Sequence, residues 1–147
     1  MGERLYVGID LGTYQSTIAS SAGSMETIET VVGRPKDPIA RNMLKRDVLF
    51  GNEALQNKMS CNLYRPMAAG VAQDDEANLA AAKAFVTHLI ESVGPEEYDE
   101  VFGVICSPSH VSFTDKSNLV ATLRGQVNAI MVVTEPFATA YGIGEYN

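Results

Sequence analysis

A strand, helix, strand pattern in the last third of the chain narrows the fold more than any other feature. Val101-Phe102-Gly103-Val104-Ile105-Cys106 and Ala129-Ile130-Met131-Val132-Val133 are apolar runs of strand length, the first ended by Ser107-Pro108. Between them, Leu119, Val120 and Leu123 recur at helical spacing over Ser112 to Arg124, and Gly125 stands where that helix ends. Two strands joined through a helix pair in parallel, with a right-handed crossover. Runs without alternation further suit strands covered on both faces.

The opening of the chain reads differently. Leu5 to Asp10 is a strand with a polar end, Leu11 to Gln15 a turn, and Ser16 to Ser20 a returning strand. Ala22-Gly23-Ser24 turns the chain again, and the β-branched Thr27, Ile28, Thr30, Val31 and Val32 supply a third strand over Met25 to Val32. Three antiparallel strands are thus expected to open the fold. From Gly33 to Val71 the pattern weakens, because Pro35, Pro38, Pro66, Gly51 and Gly70 interrupt every candidate element except Asp47 to Phe50 and a short helical turn near Glu53-Ala54-Leu55. Residues 33–71 therefore read as a small inserted subdomain. The clearest helix spans residues 75–93, with Ala82, Phe85, Val86, Leu89, Ile90 and Val93 on one stripe, a cap at Asp74 or Asp75 and a stop at Gly94-Pro95. After Glu135, Pro136 suits the first turn of a last helix and Gly142 and Gly144 its end.

Composition removes several functions. With 147 residues, 46% hydrophobic and 20% charged, the chain matches one globular domain. A net charge of −7 without a basic cluster argues against a nucleic-acid partner. No apolar run approaches the ~20 residues of a membrane span, and the first residues lack a signal-peptide layout, so a cytosolic protein is expected. Cys61 and Cys106 read as reduced filler, and His88 and His110 have no ligand partner at metal-binding spacing.

One segment points to chemistry. Gly8-Ile9-Asp10-Leu11-Gly12-Thr13 puts a carboxylate at the exit of a strand and a glycine in the next turn. Gly12 allows the N–H groups of Gly12, Thr13, Tyr14 and Gln15 to converge on phosphate oxygens, while Asp10 holds Mg²⁺ through its water shell. A plain hairpin turn with a solvated aspartate fits the hexapeptide equally well.

The segment resembles the first phosphate loop of the actin, heat-shock chaperone and sugar-kinase superfamily. Downstream, Val132-Val133-Thr134-Glu135-Pro136-Phe137 resembles the strand and helix of that superfamily's connecting motif. Val31-Val32-Gly33-Arg34-Pro35-Lys36-Asp37 and Gly51-Asn52-Glu53-Ala54 bring the resemblance closest to bacterial actins, over almost the whole chain. It implies an α/β, actin-like (ribonuclease H-like) domain: three antiparallel opening strands extended by parallel strands, with helices packed on the sheet. Residues 1–147 would be the first domain of an ATPase whose second domain is absent here. Asp10 would belong to the magnesium site, Gly12, Thr13, Tyr14 and Gln15 to the ATP phosphate loop, and Glu135 would orient or activate the attacking water. The implied partners are ATP, Mg²⁺ and an actin-like filament, formed by self-association or co-assembly. A dipole-stabilised carboxylate at a helix start remains the simpler reading of Glu135 taken alone.

Two features limit what carries over: the chain ends before a second phosphate loop, and Gly12 to Thr17 contains no lysine. A truncated, non-catalytic relative that binds or modulates a full-length filament protein is therefore the alternative. A chaperone-type or sugar-kinase-type domain fits Tyr14-Gln15-Ser16 and Val31 to Asp37 less well.

Overall fold

A computed structural model describes residues 2–68, 71–72 and 75–144. Strands β1 (Arg4–Leu11), β2 (Gln15–Ser20) and β3 (Met25–Glu29) form an antiparallel meander. After a second, smaller sheet the chain enters helix α3 (Glu76–Glu91), then β9 (Glu100–Ser107), α4 (Phe113–Leu123), β10 (Ala129–Thr134) and α5 (Glu135–Ile143). The main sheet has the order β10-β9-β1-β2-β3, with β1, β9 and β10 parallel. This is the architecture the sequence implies.

Alternation along β1 decides where the core sits. Leu5, Val7, Ile9 and Leu11 are buried, whereas Arg4, Tyr6, Gly8 and Asp10 face outwards. Helices α3 and α4 cover the first set, so Phe85, Leu89, Leu119 and Leu123 join Leu5, Ile9, Ile18 and Ile105 in one cluster. Each such side chain contributes about 1.5–3 kcal/mol of transfer free energy. The helices start where their sequences provide caps. Asp75 accepts from the Asn78 side-chain amide at 2.7 Å and from its backbone amide at 3.0 Å, and these bonds, the first above all, hold its carboxyl below the usual range. Ser112 and Asp115 form a reciprocal capping box. Of the two candidate caps for α3, Asp74 lies outside the described residues, as does Gly70 among the proposed breakers.

The structure departs from the sequence reading in three places. The third strand stops at Glu29; Val32 begins β4 (Val32–Pro35) of the second sheet, where it lies between β5 (Leu49–Phe50) and β6 (Cys61–Tyr64). The Pro-rich stretch is more ordered than its breakers suggest. Pro38 opens α1 (Pro38–Leu44), because a first-turn residue needs no amide hydrogen and Asp37 caps the helix with a 2.8 Å bond to the Ala40 amide. Gly51 likewise opens α2 (Gly51–Gln56), between β5 (Leu49–Phe50) and β6 (Cys61–Tyr64). Val31, Leu49, Ala54 and Cys61 form a separate small core. A short hairpin, β7 (Met67–Ala68) with β8 (Val71–Ala72), precedes α3.

The third departure concerns β9 and β10, expected to be covered on both faces. Burial alternates along β9, and β10 is largely open, with Met131 61% exposed. Helices α3 and α4 cover the middle of one face of the sheet; on the other, α5 lies against the end formed by β10 and β9.

Candidate functional site

The parallel strands end in line. Ile9 lies beside Ile105, Ile105 beside Val132, Cys106 beside Val133 and Ser107 beside Thr134. The chain then leaves β1 through Gly12-Thr13-Tyr14, β9 through Pro108 and β10 directly into α5, so three connections meet at one edge of the sheet. Ligand sites in open parallel sheets form at this edge, because the diverging connections leave a crevice beyond the strand ends.

The loop after β1 is held from both sides. The Thr30 amide donates to the Tyr14 carbonyl at 2.8 Å, and the buried Ser16 and Thr30 hydroxyls are 2.7 Å apart. Gly12 is required by close approach: a Cβ there would stand 2.3 Å from the Gln15 carbonyl oxygen. Thr13 is half-buried and Tyr14 is 75% exposed. Gln15 is already the first residue of β2, exposed and paired with Glu29.

Asp10 and Glu135, far apart in sequence, stand at the same sheet edge, at the ends of the two strands that flank β9. Asp10 is exposed at the end of β1, and Glu135 is exposed as the first residue of α5. Cys106 lies half-buried at the end of β9, the strand between them. Burial pushes its thiol up, and the negative charges of Asp10 and then Glu135 push it further. The raised value keeps the thiol protonated and a poor nucleophile near neutral pH. Sequence reading took Cys106 as filler and missed its place in the site. Its register position at the end of the central parallel strand was the available signal.

Beside this edge, Val104, Met131, Val133, Phe137, Ala138 and Tyr141 line an open groove of about 460 Å³ between α5 and the uncovered sheet face. Above Gly8, a Cβ would meet nothing within 4 Å. Exposed carboxylates, a constrained glycine turn and free space suit a phosphorylated ligand with a hard, oxygen-seeking cation. Among the described residues, no three His, Cys, Asp or Glu side chains group closely enough to hold a metal unaided. A cation here would therefore need oxygens from its ligand or from water, as Mg²⁺ on a nucleotide has.

The sheet order and the meeting of three connections at the strand ends define an actin-like protein domain. The chain is homologous to MamK, an actin-like protein. It is 33% identical over 145 residues to "Actin-like protein MamK" of Magnetospirillum gryphiswaldense, covering 98% of this chain and 40% of the relative. The MamK of Paramagnetospirillum magneticum is 33% identical over 141 residues, covering 95% and 41%. This chain thus spans about two fifths of the length of these relatives. Among solved structures, a non-polymerising MamK mutant bound to AMPPNP matches with a TM-score of 0.89 at 32% identity, over 99% of this chain and 45% of that one. A MamK double helical filament matches at 0.91 and 32%, over 97% and 44%. MreB5 of Spiroplasma citri bound to ADP shares the fold at a TM-score of 0.74 and 16% identity, over 96% and 41%. No family model matches the chain. Among the described residues, no helix is long and apolar enough to cross a membrane.

Proposed function

We propose that this chain is the nucleotide-binding first domain of an actin-like, filament-forming ATPase, with residues 33–71 as its inserted subdomain. The placing of Asp10 and Glu135 at one sheet edge, where β1 and β10 end beside the Gly12 turn, supports this reading. Gly12, Thr13, Tyr14 and Gln15 would border the ATP phosphates, Asp10 would hold the water shell of Mg²⁺, and Glu135 would orient the hydrolytic water. Bound magnesium would neutralise charge on the phosphates. Glu135 needs only to position a water and accept its proton, because phosphoryl transfer depends on placement and electrostatics more than on covalent help. The AMPPNP-bound MamK relative supports nucleotide as the ligand, and the MamK filament supports self-association.

A non-catalytic partner of an actin-like filament is the second reading. The exposure of both carboxylates favours it, since a site open to water is poorly suited to holding a nucleophile in place. Calorimetry with Mg·ATP and a phosphate-release assay on the 147-residue chain test the two together. Weak binding that falls with Asp10→Asn and survives Glu135→Ala is the expected result, with negligible turnover. Binding indifferent to Asp10→Asn would remove Asp10 from the site. Turnover abolished by Glu135→Ala would rule out the non-catalytic reading.

A further inference from the structure

Two hydroxyl groups are sealed inside the molecule where the loop after β1 meets the small sheet. Ser16, the second residue of β2, is 1% exposed and Thr30 is fully buried, and their oxygens stand 2.7 Å apart. Burying two hydroxyls costs free energy that the bond between them does little more than offset, so apolar side chains of the same shape would fill these positions as well. Packing alone gives no reason for the pair.

Thr30 is the corner at which the chain leaves the main sheet. β3 ends at Glu29 and β4 starts at Val32, and between them the Val31 amide donates back to the Glu29 carbonyl at 2.8 Å, closing a three-residue turn centred on Thr30. Towards the loop, the Thr30 amide donates to the Tyr14 carbonyl at 2.8 Å while its hydroxyl meets that of Ser16. Towards the small sheet, the Gly51 amide donates to the Val31 carbonyl at 3.0 Å, and Val31 is buried with Leu49, Ala54 and Cys61. One residue thus joins the loop, the main sheet and the inserted subdomain.

The bonds to Thr30 bear on what the loop presents. The Tyr14 carbonyl and the Gln15 amide hydrogen lie on opposite sides of one trans peptide, so holding the first on Thr30 fixes the direction of the second. Gln15 is one of the four residues whose amides would border a phosphate. Ser16 follows directly, and its hydroxyl is held on the same corner. A shift of the loop relative to Thr30 would leave a buried hydroxyl unpaired, which is costly, so a pull on the loop is passed to the corner.

We propose that Thr30 is a positioning residue for the loop, and that the buried Ser16–Thr30 pair makes the loop and the inserted subdomain respond to one another. A phosphate ligand that orders the loop then steadies residues 32–64, and a defect in the small core reaches the loop, because coupling between two sites is reciprocal. Chain connection alone couples them less, since a corner without the pair can absorb a rotation of the subdomain in its own backbone angles. The ligand half of this inference rests on the proposed phosphate site; the coupling itself does not.

Residue-resolved amide exchange on the 147-residue chain, with rates taken relative to β9, tests the coupling. Leu49→Ala opens a cavity in the small core, and Leu49→Val replaces it where that variant does not fold. In the wild-type background the defect should speed exchange in β4 to β6 and also, by about tenfold, at residues 16 and 17. With Ser16→Ala/Thr30→Val, which removes both hydroxyls and leaves neither unpaired, the effect at residues 16 and 17 should fall below about threefold. Thr30→Ser keeps a hydroxyl and should restore it. Residues 16 and 17 indifferent to the defect in the wild type, or equally affected with and without the pair, would overturn the proposal. Millimolar Mg·ATP supplies the second arm: exchange should slow at residues 12–15 and at 32–64, and the Ser16→Ala/Thr30→Val chain should lose the second effect. Slowing confined to the loop in the wild type would also overturn the proposal. A loop that answers to the small-core defect but not to Mg·ATP sinks the phosphate-site reading and leaves the coupling standing.

Discussion

The two faces of the main sheet are built from the same strands and have opposite fates. On one, Leu5, Val7, Ile9 and Ile105 are sealed beneath α3 and α4. On the other, Tyr6, Asp10 and Met131 remain exposed, and only α5 lies across one end. The covered face holds the fold together; the open face leads to the strand ends where the candidate carboxylates stand. Successive residues of one strand thus go to the core and to the open face in turn, because a β-strand sends alternate side chains to opposite sides.

The sharpest way to break this division is to remove one large side chain from each face. Phe85→Ala should cost about 3–5 kcal/mol in a urea melt, since Phe85 is fully buried between α3 and the sheet. Tyr6→Ala on the open face should cost much less. Equal losses would mean that the open face is packed in solution, by a second copy or by another partner.

Gly12→Ala should act locally at the edge between the faces. The added methyl meets the Gln15 carbonyl, so the turn must shift, at a cost of about 1–3 kcal/mol. Weak Mg·ATP binding, where present, should vanish with it. A variant of wild-type stability and affinity would show that the turn is not held in this shape.

A smaller effect is expected from Ser112→Ala, which removes the α4 capping box at a cost of about 1 kcal/mol in a urea melt. An unchanged melt would show that the box does not hold the helix start.

The mildest test is a titration. Burial first, then Asp10 and Glu135, raise the Cys106 thiol, so alkylation by iodoacetamide should be slow at neutral pH and accelerate only in the alkaline range. Asp10→Asn or Glu135→Gln should move the alkylation curve to lower pH, since each removes a charge that opposes the thiolate. The same shift has a stability sign. A thiol raised in the folded state stabilises it while protonated, fully below the unfolded value near 8.5, and that contribution is lost as pH rises through the folded value. An unmoved curve in both variants would place the carboxylates away from the sulfur.

Local signals carried much of this fold because they are short-range physics. The α3 stripe, its Asp75 cap and the strand, helix, strand unit each depend on neighbours a few residues apart. The Pro-rich stretch misled because proline and glycine break an element in its interior yet open one at its first turn. Pro38 and Gly51 both stand at such starts. The apolar runs of β9 and β10 misled for another reason: hydrophobicity records what a strand tolerates, not which layers the rest of the chain supplies to cover it.

The sequence by itself determined the glycine turn after the first strand, the carboxylate at the end of β1, the acidic start of the last helix and the pairing directions of the main strands. Those features are written in consecutive residues or in one period of a helix or strand. Tertiary structure decided that Cys106 ends the strand lying between those that carry Asp10 and lead to Glu135, and that one sheet face stays open. Each of these relations joins residues distant along the chain. Their separation in space is set by the order of strands in the sheet and by the edge at which the chain leaves it, which no local window contains.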